Sequence, residues 1–161
     1  RNDIIQLLSF KDEYYEQAED FFDDLEPHDS NKIIGIHIRR GDYKDWRGGK
    51  YLYSFDSYEN VMRHIYKKEK GNIYFIITSD EDIKSDNFKS LNGNYTFAKK
   101  DFITDLLILS KCDFILGPPS TFNAWASFIG STPLFTLKNE KSIPVLSDFI
   151  INNGDIISLT D

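Results

Sequence analysis

The chain has 161 residues, of which 40% are hydrophobic and 15% aromatic. This length and composition fit one folded domain with a substantial core and argue against a disordered chain. The formal net charge of −7 argues against a general nucleic-acid binder, because binding to phosphate backbones needs clustered Lys and Arg. The single cysteine, Cys112, excludes an internal disulfide and offers no metal-binding spacing.

No apolar run approaches the roughly 18 residues of a transmembrane helix, and no signal-peptide pattern opens the chain. We therefore expect a cytoplasmic protein with no transmembrane segment in this chain, with peripheral association at the inner face of the membrane as the alternative. Because the chain begins at Arg1 and not at a methionine, we expect it to be a fragment or a processed chain.

The first two predicted elements are a helix and a buried strand. Residues 1–30 are acidic and aromatic, and helical spacing relates a set of apolar residues there: Tyr14, Ala18, Phe21, Phe22 and Leu25. Residues 33–38 then contain four isoleucines in six positions. Such a run is typical of a strand that is buried on both faces, as in a parallel sheet.

Strand and helix patterns alternate along the rest of the chain. Asp56 and Glu59 resemble a capping box for a helix that ends before Gly71, residues 72–79 form a second strand pattern, and residues 80–82 resemble an acidic helix start. The remaining predicted elements are a weaker strand at 95–97, a helix over 102–111, a strand at 113–116, a helix over 122–129 and a strand at 132–136. This order predicts one α/β sandwich with a mainly parallel sheet over residues 1–161.

Two arginines, Arg39 and Arg40, follow the first strand directly. Open α/β sheets bind ligands beyond the carboxyl ends of their strands, so this position favours an anionic ligand. Pairing with a nearby carboxylate such as Asp42 is the common alternative for surface arginines. His37 and Arg39 are two residues apart on a strand and are expected on the same face, and Gly41 allows a tight turn or a close approach of a ligand.

Two later segments place polar side chains at the same sheet edge. Ser120 and Thr121 precede a helix, where a hydroxyl commonly caps the helix and where free N–H groups can also bind phosphate. Asp105 lies inside an apolar helix, either on an exposed stripe, which is the usual case, or directed at a ligand. Thr78, Ser79 and Asp80, at the end of the second strand, either contact the same ligand or, as is more common, cap a following helix.

Other catalytic and metal-binding patterns are not found. The three histidines show no helical pairing, so we expect no metal site. The glycines do not match a dinucleotide or Walker phosphate loop, and no serine lies in a nucleophile elbow.

Several motifs in order resemble the α-1,2-fucosyltransferases and a wider group with α-1,6 members. Residues 37–43, His-Ile-Arg-Arg-Gly-Asp-Tyr, are similar to the HxRRxDY motif of that family. Residues 105–113 and the following segment Pro-Ser-Thr-Phe at 119–122 resemble its later motif, and Thr-Ser-Asp at 78–80 falls where the family has an SDD segment. The resemblance spans residues 32–136, with Asn123 where a serine is common.

The resemblance implies a bacterial-type glycosyltransferase that transfers L-fucose from GDP-fucose to a galactoside hydroxyl, with inversion and without a metal or other cofactor. It implies a Rossmann-like three-layer fold that forms the C-terminal, donor-binding half of a two-domain GT-B enzyme. The half that binds the glycan acceptor would then be missing from this chain.

The resemblance also implies roles for individual residues. Arg39 would hold the β-phosphate and Arg40 would assist, whereas His37 and Asp105 would contact the nucleoside. The hydroxyls that complete the phosphate site would come from Ser120 and Thr121. Asp42 is adjacent to the arginines in the sequence, so we expect it to position them. Two other functions stay open at this point: a transferase of the same fold for another nucleotide sugar, and a non-catalytic binding module that uses its N-terminal helix.

Overall fold

A computed structural model describes residues 10–25, 32–91 and 93–151 of the protein. The four helices described in these ranges are α1 (Asp12–Asp23), α2 (Phe55–Lys68), α3 (Phe102–Lys111) and α4 (Thr121–Gly130). The five strands described there are β1 (Lys32–Ile38), β2 (Ile73–Ser79), β3 (Tyr95–Phe97), β4 (Phe114–Gly117) and β5 (Leu134–Thr136). The predicted elements are thus confirmed apart from the segment at 80–82, and the predicted N-terminal helix is confirmed within residues 12–23.

The five strands form one sheet in the order β3-β2-β1-β4-β5, and each neighbouring pair is parallel. The chain therefore builds outward from β1 to β2 and β3, and then crosses to the other side of β1 to add β4 and β5. The loops after β1 and β4 leave in opposite directions at this reversal. A reversal of this kind opens a crevice at the carboxyl edge of a parallel sheet.

Helices cover both faces of the sheet, as a three-layer α/β fold requires. On one face, Ile34, Ile36 and Ile38 of β1 pack in a core with Val61 and Met62 of α2. On the other face, α3 packs between α1 and α4 and crosses the central strands. The alternation of side chains along β1 thus separates the two layers.

Close packing of α3 on β1 depends on Gly35. A Cβ atom at this position would lie 2.5 Å from Cδ2 of Leu109 and 3.1 Å from Sγ of Cys112. Cys112 is a buried free thiol, as its apolar surroundings in the sequence predict. The helix therefore holds its polar residue Asp105, one turn before Leu109, near the carboxyl edge of the sheet.

The capping box predicted for α2 is wrong. The N-cap of α2 is Ser54, whose Oγ accepts a hydrogen bond from the amide of Ser57 at 3.2 Å, and not Asp56. Glu59 does not complete a capping box, because its Oε1 accepts hydrogen bonds from the amide and hydroxyl of Ser90, both at 2.8 Å.

The acidic segment at residues 80–82 forms a bend and not a helix start. Its first carboxylate, Asp80, is used by backbone amides of the loop after β1, so it does not cap a helix. A 3-10 segment, Ser85–Leu91, follows instead. The difference arises because the Asp80 carboxylate binds amides that are distant in the sequence and not the nearby amides of a helix start.

Candidate functional site

The loop after β1 extends the strand alternation to its two arginines. Arg39 follows the face of His37, and Arg40 follows the face of the core isoleucines, as the two-residue period requires. Their surroundings differ accordingly. Arg39 contacts the carboxylates around the crevice, whereas Arg40 contacts the start of α2 and the loop after β2.

Arg39 forms a bidentate ion pair with Asp42. Its Nε donates to Oδ1 at 2.8 Å and its Nη2 donates to Oδ2 at 3.0 Å, while Asp80 Oδ2 lies 3.9 Å from Nε. These hydrogen bonds raise the pKa of Arg39 and lower the pKa of Asp42. The carboxylate is 59% exposed, so the pair contributes only about 0–1 kcal/mol to stability. The edge of the guanidinium formed by Nη1 and Nη2 can bind a second anion while Asp42 holds the Nε edge.

Arg40 is contacted on several sides by the protein itself. Its Nε donates to Glu81 at 3.2 Å, its Nη1 donates to the carbonyl of Tyr53 at 2.7 Å, and its guanidinium lies 4.5 Å from the ring centroid of Phe55. The side chain is 19% exposed. This set of contacts favours a structural role at the base of the loop, and it makes Arg39 the better candidate for contact with a ligand.

Asp80 holds the turn between the two arginines and Asp42. Its Oδ1 accepts from the amide of Arg40 at 2.8 Å, and its Oδ2 accepts from the amide of Gly41 at 3.1 Å. Gly41 has an ordinary φ of −47°, so left-handed geometry is not the reason for the glycine. A Cβ there would lie 3.0 Å from Asp80 Oδ2, so a close approach of this carboxylate explains it.

His37 is buried beside α4. Its Nδ1 lies 2.5 Å from Oδ1 of Asn123, and its ring centroid lies 4.7 Å from that of Phe122. Burial lowers the pKa of His37 to about 4, the hydrogen bond with Asn123 opposes this shift, and the charge of Arg39 adds to it. The imidazole is therefore neutral at physiological pH. His37 therefore adds no positive charge to this edge of the sheet.

The start of α4 completes the edge opposite Arg39. Ser120 is the buried N-cap, and its Oγ accepts from the amide of Phe122 at 3.2 Å, whereas Thr121 is exposed. The hydroxyl of Tyr43 donates to the carbonyl of Pro119, which ties the loop after β1 to the loop after β4. The helix has no acidic residue in its first turn, so the positive end of its dipole is not offset there.

Asp105 lies in a neighbouring cleft on the β2 and β3 side of the edge. The residue is only 7% exposed, so of the two positions that the sequence left open, the exposed stripe is excluded. Its Oδ1 is buried and has no hydrogen-bond partner, and desolvation raises the pKa of the carboxyl to about 7. A buried acceptor without a partner costs stability and favours a ligand that donates hydrogen bonds.

The cleft has a volume of about 240 Å³. Its lining combines apolar walls with ionic groups and includes Ile77, Ser79, Asp82, Phe97, Lys99 and Asp105. Ser79 thus shares a cleft with Asp105, as one of its two expected roles requires. It also accepts a hydrogen bond from the amide of Glu81 at 3.1 Å, although this amide lies in a bend and not in a helix.

The structure brings His37, Arg39, Asp42, Ser120 and Thr121 to the crevice, and it places Ser79 and Asp105 in the adjacent cleft. Three further residues organise the site: Asp80, which the sequence offered only as a ligand contact or a helix cap, and Tyr43 and Asn123, to which the sequence patterns assign no role. Asn123 carries a sequence signal, since it is an amide in a mostly apolar helix. The long-range hydrogen bonds of Tyr43 and Asp80 have no corresponding signal in the sequence.

Two findings concern only the described residues. Among residues 10–25, 32–91 and 93–151, no group of three or more His, Cys, Asp or Glu side chains is arranged to hold a metal ion. Within the same part of the chain, no helix is long and apolar enough to cross a membrane.

The fold and this edge together define a Rossmann-like α/β domain with an arginine and the start of a helix at the reversal of strand order. The chain belongs to glycosyltransferase family 11, whose family model matches residues 1–143. The family that the sequence motifs indicate is therefore confirmed.

Curated relatives agree with this membership. Galactoside alpha-(1,2)-fucosyltransferase 2 of Gorilla gorilla gorilla is 24% identical over 151 residues, which cover 86% of this chain and 43% of that protein. Galactoside 2-alpha-L-fucosyltransferase Sec1 of Mus musculus is 24% identical over 143 residues, with coverages of 80% and 38%. The chain thus spans less than half the length of these relatives.

Solved structures agree on the fold. The apo form of POFUT1 matches with a TM-score of 0.60 at 16% identity, over 83% of this chain and 48% of that one. NodZ alpha-1,6-fucosyltransferase soaked with GDP-fucose matches with a TM-score of 0.51 at 15% identity, over 88% of this chain and 47% of that one. The predicted Rossmann-like α/β class is confirmed.

Proposed function

We propose that this chain is the donor-binding part of a fucosyltransferase that uses GDP-fucose. The observation that carries the proposal is the joint placement of Arg39, the start of α4 and the buried, unpartnered Oδ1 of Asp105 along one edge of the sheet. Family membership supports it, as do the names of the relatives and the GDP and GDP-fucose complexes of the structural neighbours.

The diphosphate would lie between Arg39 and the start of α4. A bidentate guanidinium and helix N–H groups match the charge and geometry of phosphate oxygens. When the bond between fucose and phosphate breaks, negative charge grows on the β-phosphate, and donors that are already oriented stabilise this charge more than that of the ground state. Arg39 is thus assigned the catalytic contact, Asp42 orients it from the Nε edge, and Thr121 is an exposed hydroxyl at the same position.

The base would enter the cleft of Asp105. Guanine presents an imino and an amino hydrogen side by side, which match the two acceptor oxygens of one carboxylate. Uracil offers a single N–H between two carbonyl oxygens, and those oxygens would face the carboxylate unfavourably. Asp105 therefore favours a guanine nucleotide over a uracil nucleotide, and this preference separates the proposal from a transferase for another nucleotide sugar.

The acceptor and the stereochemistry are also part of the proposal. From the names of the relatives we infer transfer to a hydroxyl of a galactoside. Inversion and independence from a metal ion are inferred from the resemblance of the sequence motifs alone. The chain spans less than half the length of those relatives, so we expect the orientation of the acceptor and the exclusion of water to need more of the protein. On this view the chain alone binds the donor and transfers fucose slowly or not at all.

Calorimetric titration of GDP and UDP into the protein tests the donor assignment. We expect saturable heat with GDP and binding at least tenfold weaker with UDP. No heat at millimolar GDP would refute the proposal, and equal binding of the two nucleotides would favour a transferase with a different donor.

A further inference from the structure

Asn123 is a fully buried amide in α4, and both ends of its side chain are used. Its Nδ2 donates to the carbonyl of Pro118 at 2.7 Å, and its Oδ1 lies 2.5 Å from Nδ1 of His37. Gly117 leaves room for this amide, because a Cβ there would lie 2.5 Å from Nδ2. The amide is therefore held in one orientation.

That orientation decides which nitrogen of His37 carries the proton. A carbonyl oxygen only accepts hydrogen bonds, so the amide end that donates must face Pro118 and Oδ1 must face the imidazole. Nδ1 of His37 is then the donor. Because burial keeps the ring neutral, Nε2 keeps its lone pair and is an acceptor.

We propose that Asn123 is a positioning residue that holds His37 in the neutral tautomer protonated on Nδ1, so that Nε2 accepts a hydrogen bond from a hydroxyl or N–H group of the nucleoside. The part that concerns the nucleoside rests on the proposed function. A neutral acceptor cannot pair with phosphate oxygens, which are acceptors themselves. Arg39 thus binds the diphosphate, and His37 accepts a hydrogen bond from a donor group of the nucleoside.

The tautomer can be read without any nucleotide by NMR of the protein labelled with ¹⁵N-histidine. We expect Nδ1 of His37 to have a pyrrole-type shift and Nε2 a pyridine-type shift from pH 6 to pH 8. The charged neighbours that act on the ring are Arg39 and Asp80. A protonated Nε2 in the wild-type protein would overturn the proposal.

Three variants separate positioning from mere packing. Asn123→Ser should shift His37 toward the Nε2-protonated tautomer and weaken GDP binding by about three- to tenfold. Asn123→Asp should keep Nδ1 protonated and raise the pKa of His37, because a carboxylate favours the imidazolium. Ser127→Ala is the control, since it removes a buried hydrogen bond to the carbonyl of Thr132 in the same helix and should lower stability without changing the tautomer. An unchanged tautomer in Asn123→Ser would overturn the proposal.

Addition of GDP tests the part that concerns the nucleoside. We expect the Nε2 resonance to move in the direction of hydrogen-bond acceptance, and the loss of affinity in Asn123→Ser to be equal for GMP and GDP. If GDP binds by calorimetry and Nε2 does not move, this part is wrong while the proposed function stands. If GDP does not bind at all, both the proposed function and this part are wrong, although the tautomer assignment is judged separately by the spectrum of the free protein.

Discussion

Asp105→Asn should make the protein more stable and at the same time damage its recognition of guanine. The substitution keeps the shape of the side chain and removes its ionisation. In the folded protein the pKa of Asp105 is raised to about 7, so between about pH 4 and pH 7 the folded state holds a proton that the unfolded state has lost. The protonated carboxyl of Asp105 therefore adds its full contribution to stability below about pH 4, and this contribution is lost as the pH rises through 7 and the buried group ionises.

The size of the effect follows from the shift. One pKa unit corresponds to about 1.4 kcal/mol, so a rise of roughly three units sets an upper limit of about 4 kcal/mol. Asp105 borders an open cleft, and partial solvation reduces the value, so we expect Asp105→Asn to gain about 1–3 kcal/mol of unfolding free energy at pH 8. The gain at pH 4 should be small.

Urea unfolding at pH 4 and pH 8 measures this difference. Asp82→Asn is the matched control, because its carboxylate lines the same cleft but is 83% exposed, and it should change stability by less than about 0.5 kcal/mol. A loss of stability in Asp105→Asn at pH 8 would refute the interpretation of Oδ1 as a buried acceptor that waits for a ligand.

The affinity for GDP should depend on pH in the opposite direction to the contribution of Asp105 to stability. Guanine donates to the ionised carboxylate, so the affinity of the wild-type protein should rise with pH up to about 7, and binding at pH 6 should release a proton. Calorimetry in buffers of different ionisation enthalpy measures that release. Asp105→Asn should bind GDP about 10- to 100-fold more weakly, because it loses charge-assisted hydrogen bonds, and should release fewer protons than the wild type, because only the terminal phosphate of GDP then titrates in this range. Tight binding with an unchanged pH dependence would place the base elsewhere.

Three other substitutions test the remaining geometry. In the full-length enzyme, Arg39→Lys should lower kcat for fucosyl transfer by about 100- to 1,000-fold, because a point charge replaces a bidentate fork; turnover close to that of the wild type would contradict this role. Asp80→Asn should cost about 1–3 kcal/mol in urea unfolding, because an amide offers one acceptor oxygen to two backbone donors; unchanged stability would show that this carboxylate does not hold the turn. Gly117→Ala should cost about 1–3 kcal/mol through its clash with Asn123, and less in an Asn123→Ser background; equal costs in the two backgrounds would exclude that contact as the cause.

The sequence was sufficient for those parts of the site that follow from periodicity. The isoleucine run of β1 predicted a strand buried on both faces, and the two-residue period then placed Arg39 with His37 and separated it from Arg40. The alternation of elements predicted a parallel sheet, whose carboxyl edge is a common ligand site. Each of these inferences depends on local pattern alone.

The parts that were predicted wrongly depend on tertiary partners. For Asp105 the sequence left an exposed stripe and a position directed at a ligand open, and the packing of α3 between α1 and α4 buries this residue. Asp80 was expected to start a helix, but its acceptors serve amides 39 and 40 residues away. Ser54 and Asp56 are both good capping residues two positions apart, and local propensity does not separate them.

A crystal structure of the protein with GDP tests the central claim most directly. We expect the β-phosphate to contact the Nη1 and Nη2 edge of Arg39 and the first amides of α4, and the guanine to donate two hydrogen bonds to Asp105. A diphosphate on Arg40, or a guanine that leaves the carboxylate of Asp105 without a partner, would contradict the account.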